Sequence, residues 1–243
     1  MELLAMALAP GIAIMWFIYS KDRFDREPLK ALIKSFFLGM LATIPAILLQ
    51  LAASYLLKGL MPASGWTYLI LFAFVAVALT EEGCKFLMLR YYAFPRDFFN
   101  EPFDGIIYGV MVAMGFATLE NIAYVMQNGL ATAVARMFLS VPAHATFGVL
   151  MGYYVGLAKF THNAQSKFFM VRGLFLAVLF HGLFDLFLFA QTDTEITKNI
   201  PGGFLIGSAI LSYLVAVRLS WQAIKMHQDI SINSFNSKDN TVI

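Results

Sequence analysis

The sequence places ionisable side chains inside long apolar stretches, where a charge is costly and each such group suggests a function. They come from four successive apolar stretches of the chain. The first holds two carboxylates and an amine, the second an acid and an amide, the third a histidine, and the fourth a histidine and an acid. These residues are Glu81, Glu82, Lys85, Glu120, Asn121, His144, His181 and Asp185. Carboxylates and imidazoles accept and donate protons in hydrolytic enzymes, so the set predicts activation of a water molecule.

The spacing of these residues within a helix adds to the prediction. His181 and Asp185 are four residues apart and share one helix face. That spacing suits two ligands of one metal ion, or an aspartate that orients a neighbouring imidazole. Glu81 and Lys85 have the same spacing and can form an ion pair. Glu82 is rotated by about 100° from its neighbour, so we expect one carboxylate to face the site while the other ties helices together.

A carboxylate and two histidines from separate helices are the ingredients of a hydrolytic zinc site with an open coordination position. His144, His181 and Glu120 are the candidate ligands in that case. The same kinds of residue also match a metal-free site, in which Glu81 and a histidine activate water directly. The residues alone leave both alternatives open.

Each of these residues also has a structural interpretation. A histidine in a membrane helix often only hydrogen bonds to a neighbouring helix, and the pair Glu81 and Lys85 could serve structure alone. Asp104, at the start of its stretch, is either an anchor at the membrane interface or part of the site. We expect Arg136 to extend to the outer surface and Cys84 to serve packing. The recurrence of acids and histidines on four adjacent stretches favours the functional interpretation.

The elements that carry these residues are predicted to be membrane-spanning helices. Hydrophobic residues make up 60% of the 243 residues, charged residues 13%, and the mean hydropathy is +0.72, which excludes an ordinary soluble domain. Seven stretches are long enough to cross a core of about 30 Å at about 1.5 Å per residue. They are Leu3–Tyr19, Ala31–Leu57, Trp66–Leu89, Asp104–Gln127, Ala133–Ala158, Phe168–Ala190 and Phe204–Ile224. We therefore predict an all-α, polytopic bundle that forms one domain over residues 1–226.

The basic residues predict the orientation of the bundle, because cytoplasmic loops carry an excess of Lys and Arg. Seven spans put nearly all of the 17 lysines and arginines on one side, and only Lys58, Arg136 and Lys198 on the other. We expect the N-terminus outside, the C-terminus in the cytoplasm and a disordered polar tail over residues 227–243. The acids and histidines then lie near the middle or the outer half of the membrane, where they can form one site.

Charge and composition narrow the function further. The net charge is only +2, and the basic residues form no patch, so a nucleic acid is not an expected partner. The single cysteine excludes a disulfide within the chain. Small residues recur at four-residue spacing in the fourth and fifth spans and predict close helix contact there. They are Gly105, Gly109, Ala113 and Ala117, and then Gly148, Gly152 and Gly156.

Four motifs, in the order of the spans, resemble those of the PrsW family of intramembrane proteases. The string EEGCK at residues 81–85 looks like the EExxK motif of that family. The segment FDGIIYGVMVAMGFATLEN at residues 103–121 is similar to its second signature, PAHATFG with His144 to its third, and HGLFD at residues 181–185 to its fourth. The loop DRFDREPLKALIKSFFLG also resembles the first cytoplasmic loop of the family, so the resemblance runs from residue 22 to about residue 190.

The resemblance implies an endopeptidase embedded in the cell membrane and related to CAAX prenyl proteases and bacteriocin-processing proteins. It implies that Glu81, with Glu82 or His144, activates water, and that His181 and Asp185 bind the tetrahedral intermediate. Because an ionised aspartate would repel an oxyanion, Asp185 would be protonated in that role, or would instead orient His181 or bind metal. Lys85, Glu120 and Asn121 would support these residues.

The implied substrate is a membrane-bound protein such as an anti-sigma factor, which family members cut first on its extracytoplasmic side. The family is described as metalloproteases, which makes Zn²⁺ a candidate cofactor. Two other functions fit the same buried residues. One is the processing of a prenylated peptide by the same chemistry, and the other is transport coupled to protons or cations.

Overall fold

The computed structural model describes residues 2–22 and 25–239, which are helical over most of their length and contain no strand. The all-α class predicted from the sequence is confirmed. In chain order the helices are α1 (Glu2–Lys21), α2 (Leu29–Leu60), α3 (residues 65–93), α4 (Pro102–Asn128), α5 (Leu130–Phe138), α6 (Ser140–Lys159), α7 (Asn163–Ala190), α8 (Thr194–Thr197) and α9 (Gly202–Asp239).

Most of these helices can cross a bilayer. In the described part of the chain, six helical units are long and apolar enough: α1, α2, α4, α5 with α6, α7 and α9. The protein is therefore a multi-pass membrane protein. The predicted third span is helical as α3, but it is not among the six, since it carries Glu81, Glu82 and Lys85 and is divided into shorter segments. The count of seven spans and the side of each terminus stay predictions.

Helix α4 is the centre of the bundle. Most of its residues are buried, and it contacts α1, α2, α6 and α9. The outer helices instead expose apolar side chains, such as Leu48 and Leu51 of α2 at 63% and 62% exposure and Leu211 of α9 at 63%. In a bilayer such surfaces face lipid, so polar residues are confined to the interior of the bundle.

Helices α4 and α6 lie close together through their glycines. A Cβ atom added to Gly109 would lie 2.6 Å from the carbonyl oxygen of Gly148, and one added to Gly105 would lie 2.6 Å from the nitrogen of Gly156. Such an atom would clash with backbone that cannot move aside. The close contact predicted from the small residues is therefore confirmed, and it fixes the helices that carry Glu120 and His144 relative to each other.

Helix α3 changes its winding on both sides of its charged segment. Wide π-helical turns form the segments Phe72–Leu79 and Leu89–Ala93, and the α-helical segment Thr80–Met88 lies between them. At the first junction the hydroxyl of Thr80 lies 2.8 Å from the carbonyl oxygen of Ala76 and donates a hydrogen bond to it. Wide turns of this kind are frequent at functional sites, and here they set the directions of the glutamates that follow.

The predicted span Ala133–Ala158 is divided into two helices. The chain turns at Leu139, which has φ −116° and ψ −73°. Pro142 explains the position of the break, since it has no N–H to donate to the carbonyl group of Phe138 four residues earlier. The short helix α5 therefore ends before α6, and Arg136 at its end can turn toward α4.

Helix α9 extends beyond the boundary predicted at Ile224. Residues 227–239 are helical where the sequence predicted a disordered tail, and the end of that tail lies outside the described residues. The reason is packing. His227 is buried with its ring stacked on Tyr153, the ring centroids being 4.3 Å apart, and Ser231 one turn later is also buried. These contacts stabilise the helix beyond the apolar part of its sequence.

Candidate active site

A cavity of about 620 Å³ lies between α2, α3, α4, α6 and α7. The cavity is near one end of α4 and one end of α7. The predicted orientation places these two ends in the outer half of the membrane. Much of its wall is apolar, and the polar lining comes from several helices. The polar and ionisable lining residues are Thr43, Gln50, Glu81, Glu120, Tyr124, Gln127, Arg136, Ser140, His144, His181 and Asp185.

The cavity opens sideways between α2 and α4. The two helices touch where a Cβ atom on Gly115 would come within 3.1 Å of the nitrogen of Met40. Toward the outer end the cavity lies between them, and Ile47 and Tyr124 line it while being 53% and 47% exposed. The cavity is therefore accessible from the side between these two helices.

The two glutamates of α3 point in different directions. Glu81 lines the cavity. Glu82 lies behind the cavity wall, is fully buried, and accepts a hydrogen bond at 2.7 Å from the Lys85 ammonium. Its Oε1 is also 2.8 Å from Nδ1 of His181. The expected division therefore exists in the structure: one carboxylate faces the cavity and its neighbour joins two helices.

Lys85 is buried at the centre of the polar cluster. Its ammonium group has three N–H donors, and three acceptors surround it: Glu82 Oε1 at 2.7 Å, His144 Nδ1 at 3.1 Å and Glu81 Oε2 at 3.4 Å. The ring of Phe116 lies 4.1 Å from its Nζ. Each donor thus has a partner, and the remaining side of the charge faces an aromatic ring.

The neighbours of His144 determine its tautomer. Because a lysine ammonium can only donate, Nδ1 of His144 must accept its hydrogen bond. The ring proton then lies on Nε2, which is 3.0 Å from Glu120 Oε2 and donates to it. With both ring nitrogens engaged, His144 is a neutral link between Lys85 and Glu120 in this arrangement, and it has no free nitrogen to accept a proton from water.

His181 lies between carboxylates. Its Nδ1 is 2.8 Å from Glu82 Oε1, its Nε2 is 3.2 Å from Asp185 Oδ2, and the same Nε2 is 4.0 Å from Glu81 Oε2. The ring stacks on Phe147 with centroids 5.1 Å apart. Both nitrogens can thus donate to carboxylate oxygens, which fixes the plane of the ring and directs Nε2 toward the cavity side.

Arg136 does not extend to the outer surface, so that prediction is wrong. Its Nη2 donates to Glu120 Oε2 at 2.8 Å and its Nε to Asn121 Oδ1 at 2.8 Å. The amide of Asn121 in turn donates to the carbonyl oxygen of Ala7 in α1. The guanidinium also lies 4.4 Å from the ring of Tyr124. Arg136 therefore supports the site through Glu120 rather than anchoring α5 in the headgroup region.

Four side chains of the cluster could hold a metal ion. Donor atoms of Glu81, Glu82, His144 and His181 all lie within 4.8 Å of one another. The Oε2 atom of Glu82 is buried without a hydrogen-bond partner, which leaves one donor of the group unused. Two imidazoles and two carboxylates are donors that Zn²⁺ accepts, so the residues fit this ion. Glu120, predicted as a ligand, lies outside this group and binds His144 instead.

Asp104 is not near the cavity. Its Oδ2 accepts hydrogen bonds from the N–H groups of Asn100 at 2.7 Å and Glu101 at 2.8 Å, at the beginning of α4. Its carboxyl group interacts electrostatically with that of Glu27, which accepts a hydrogen bond from the hydroxyl of Tyr108. These acids form a second cluster, at the opposite end of α4 from Glu120. We call it the acid cluster; it consists of Asp22, Glu27 and Asp104.

The acid cluster has little to offset its charge. Among the described residues no lysine or arginine forms an ion pair with its members. Burial therefore raises the pKa of Glu27 to about 7, although the Tyr108 hydroxyl opposes the shift. Burial also raises the pKa of Asp22 to about 6, against the hydrogen bond from the Glu27 N–H.

Three residues that contact the polar cluster were not predicted as site residues from the sequence: Arg136, Phe116 and Phe147. Arg136 carries a signal that could have revealed it, since a charge within an apolar stretch calls for a partner. The two phenylalanines carry none, because 24 phenylalanines are spread through the chain. Cys84 packs near Ala42 and Ala46, as expected.

Comparison with known proteins identifies relatives of the chain. Residues 27–219 match the family model described as PrsW family intramembrane metalloprotease. The chain is 37% identical over 192 residues to Protease PrsW of Geobacillus kaustophilus, covering 78% of this chain and 81% of the relative. It is 38% identical over 200 residues to Protease PrsW of Halalkalibacterium halodurans, covering 82% and 89%, and 35% identical over 191 residues to that of Bacillus subtilis, covering 79% and 84%. No solved structure matches the chain.

Proposed function

The chain belongs to the PrsW family of intramembrane metalloproteases, and from this premise we propose that it hydrolyses a peptide bond with a water molecule activated by Glu81. A membrane protease of this kind acts on substrates within the bilayer. One observation carries the proposal: Glu81 lines the cavity together with His144, His181 and Asp185, which come from two further helices.

Glu81 is the group best placed to take a proton from water. Its carboxylate faces the cavity, and its contact with the Lys85 ammonium, at 3.4 Å, is the longest of the three that Lys85 makes. Glu82 has no access to the cavity, so it supports the base rather than sharing its role. His144, which resemblance to the family would make a second base, has both nitrogens engaged and orients its neighbours instead.

His181 is the proposed donor to the tetrahedral intermediate. Its Nε2 lies on the same side of the cavity as Glu81, and two carboxylates hold its ring in place. Asp185 Oδ2 lies 3.2 Å from Nε2 and accepts its hydrogen bond, and His181 can redirect this N–H toward a developing oxyanion. In this role Asp185 positions His181 and does not itself contact the negative charge, which removes the repulsion expected from an aspartate next to an oxyanion.

Glu120 and Lys85 hold the site together. Glu120 accepts from His144 at 3.0 Å and from Arg136 at 2.8 Å, so the orientation of His144 depends on a charge outside the cluster. Lys85 balances the two glutamates of α3. A buried carboxylate without such a cation would be costly in the bilayer, so Lys85 keeps Glu81 available as a base.

Zinc is the metal that we propose for these donors. His144, His181 and Glu82 would hold it, His181 through the Nδ1 atom that faces Glu82, so that its Nε2 could still donate and Glu81 would be free to act on water. When bound, the ion would supply Lewis acidity, which polarises a carbonyl group and lowers the pKa of water. Glu82 is preferred over Glu120 as the carboxylate ligand, because its Oε2 is buried without a partner whereas Glu120 already binds an arginine and a histidine.

The proposed substrate is a single-span membrane protein, such as an anti-sigma factor, cut near the outer half of the membrane. The side opening between α2 and α4 and the apolar wall of the cavity suit an apolar peptide segment that enters from lipid. On the predicted orientation the cavity lies toward the extracytoplasmic ends of its helices, so we expect the scissile bond on that side.

Replacing Glu81 with glutamine tests the proposal. Glu81→Gln keeps the shape of the side chain but removes the base, so cleavage of a co-expressed single-span substrate should fall by about 10²–10⁴-fold. The control is Glu195→Gln, which makes the same chemical change at an exposed residue that bonds Ser64. Immunoblots of substrate and product, with the amount of each variant, give the result. Full cleavage by Glu81→Gln would contradict the proposed role.

A further inference from the structure

The ammonium group of Lys85 lies where a metal ion would have to bind. It contacts Glu82 Oε1, His144 Nδ1 and Glu81 Oε2, three of the four side chains that could hold the metal. Zinc needs to be about 2.0–2.2 Å from nitrogen and oxygen ligands. The Lys85 Nζ is 2.7 Å and 3.1 Å from two of these ligand atoms. No room remains for a second cation between them, and two positive charges at that distance would repel each other.

On the side that faces away from the cavity, Lys85 is surrounded mainly by apolar groups. Behind it lies a small void with no room for a water molecule, lined mainly by apolar groups of α4 and α6 such as Val112 and Met151. The ring of Phe116 covers a further side of the charge. An ammonium leaving its three acceptors would therefore have to move toward the cavity, away from both its hydrogen bonds and the aromatic ring.

We propose that Lys85 is a resident cation that competes with the metal ion, so that the ammonium and Zn²⁺ occupy this group of donors in turn and never together. The inference rests on the metal site of the proposed function, but not on proteolysis. The metal must displace the ammonium. Only molecules in which Lys85 is already withdrawn can bind the metal, so the apparent affinity for the metal falls as this fraction becomes smaller. Lys85 thus sets how tightly the protease holds zinc.

Zinc binding by purified protein in detergent, without substrate, tests this inference. The dissociation constant is measured by competition with a chromophoric chelator, and the zinc content by elemental analysis. Lys85→Met removes the ammonium at similar volume and should bind one zinc ion at least about tenfold more tightly than wild type. Lys159→Met is the matched control, because Lys159 donates to the carbonyl oxygens of Phe94 and Arg96 far from the cluster. It should bind zinc as wild type does.

Phe116→Leu distinguishes displacement of the ammonium by zinc from a general effect of the charge of Lys85 on zinc binding. It also replaces Lys85→Met as the test if that variant does not fold. This variant keeps Lys85 and all four donors but loses the ring that faces the ammonium, so zinc should bind a few-fold more tightly. Adding His144→Ala to Lys85→Met should remove the gain. Equal or weaker zinc binding by Lys85→Met, unchanged binding by Phe116→Leu, or no binding by any variant would overturn the inference. Cleavage by the wild type would still support the protease function in those cases.

Discussion

The buried acids at the two ends of helix α4 have different kinds of partner. At one end Glu120 lies at the edge of the cavity, and Arg136 and His144 bind its carboxylate. At the other end Asp104 is fully buried beside Glu27, with backbone N–H groups and a second carboxyl as its partners. The same helix therefore joins a cluster balanced by cations to one composed of acids.

This difference separates a reactive site from a structural one. A lysine or arginine beside a carboxylate lowers the cost of its charge in the bilayer, so a carboxylate that faces a cavity can accept a proton or bind a metal ion. Carboxyl groups buried without a cation lower their cost by keeping protons, as the raised pKa of Glu27 indicates. The acid cluster lines no part of the large cavity. We infer that it fastens the loop after α1 to the beginning of α4.

The largest difference between the two ends is expected for two buried histidines, one at each end. His181→Asn removes the proposed donor to the oxyanion and should lower the cleavage rate by about 10²–10³-fold. His227→Asn removes a buried ring that stacks on Tyr153 far from the cavity. It should lower the unfolding temperature while cleavage continues. Rate measurements with purified protease and a fluorescent single-span substrate compare the two variants. Similar losses of rate in both variants would contradict the distinction drawn between the two ends.

A smaller effect is expected from Arg136, which acts through Glu120 and does not touch the proposed water. Arg136→Gln should lower kcat by about 10–100-fold and leave KM nearly unchanged, because the cavity keeps its shape. Arg136→Lys should recover part of the rate, since it keeps the charge but cannot bind Glu120 and Asn121 together. Lys159→Met is the control at the opposite end and should keep the wild-type kcat. A change confined to KM would instead indicate that Arg136 contacts the substrate.

The sequence was sufficient to predict an all-α membrane protein and to single out Glu81, Glu120, His144, His181 and Asp185, which line the cavity. Long apolar stretches have few alternatives to helices in a bilayer, and ionisable residues in them are confined to the interior. The glycine contacts between α4 and α6 were also predictable, because their four-residue spacing repeats on both helices. What the spacing could not predict was where the helices change course. The wide turns of α3 contain no proline or glycine to mark them.

The partners of the site residues depend on those changes of course. The wide turns before Thr80 determine that Glu81 rather than Glu82 faces the cavity. The angle of a regular helix separates the two side chains but does not determine which of them faces the cavity. The break at Leu139 turns Arg136 toward Glu120, which is 16 residues away in sequence. A prediction based on a continuous span places Arg136 at the membrane surface. Tertiary contacts, not local pattern, determine both outcomes.

The smallest expected effect is the contribution of the acid cluster to the pH dependence of stability. Glu27 has a pKa of about 7 in the folded protein against an ordinary value of 4.5, so the folded state holds a proton that the unfolded chain has already released between these values. Stability should therefore fall as the pH rises from about 5 to about 8. Glu27→Gln, which is neutral at every pH, should flatten this dependence and should unfold at a higher temperature than wild type at pH values near 8.

The exposed control Glu195→Gln should keep the wild-type slope. Thermal unfolding in detergent across this pH range gives the comparison, and an unchanged slope in Glu27→Gln would show that Glu27 does not retain its proton in the folded state.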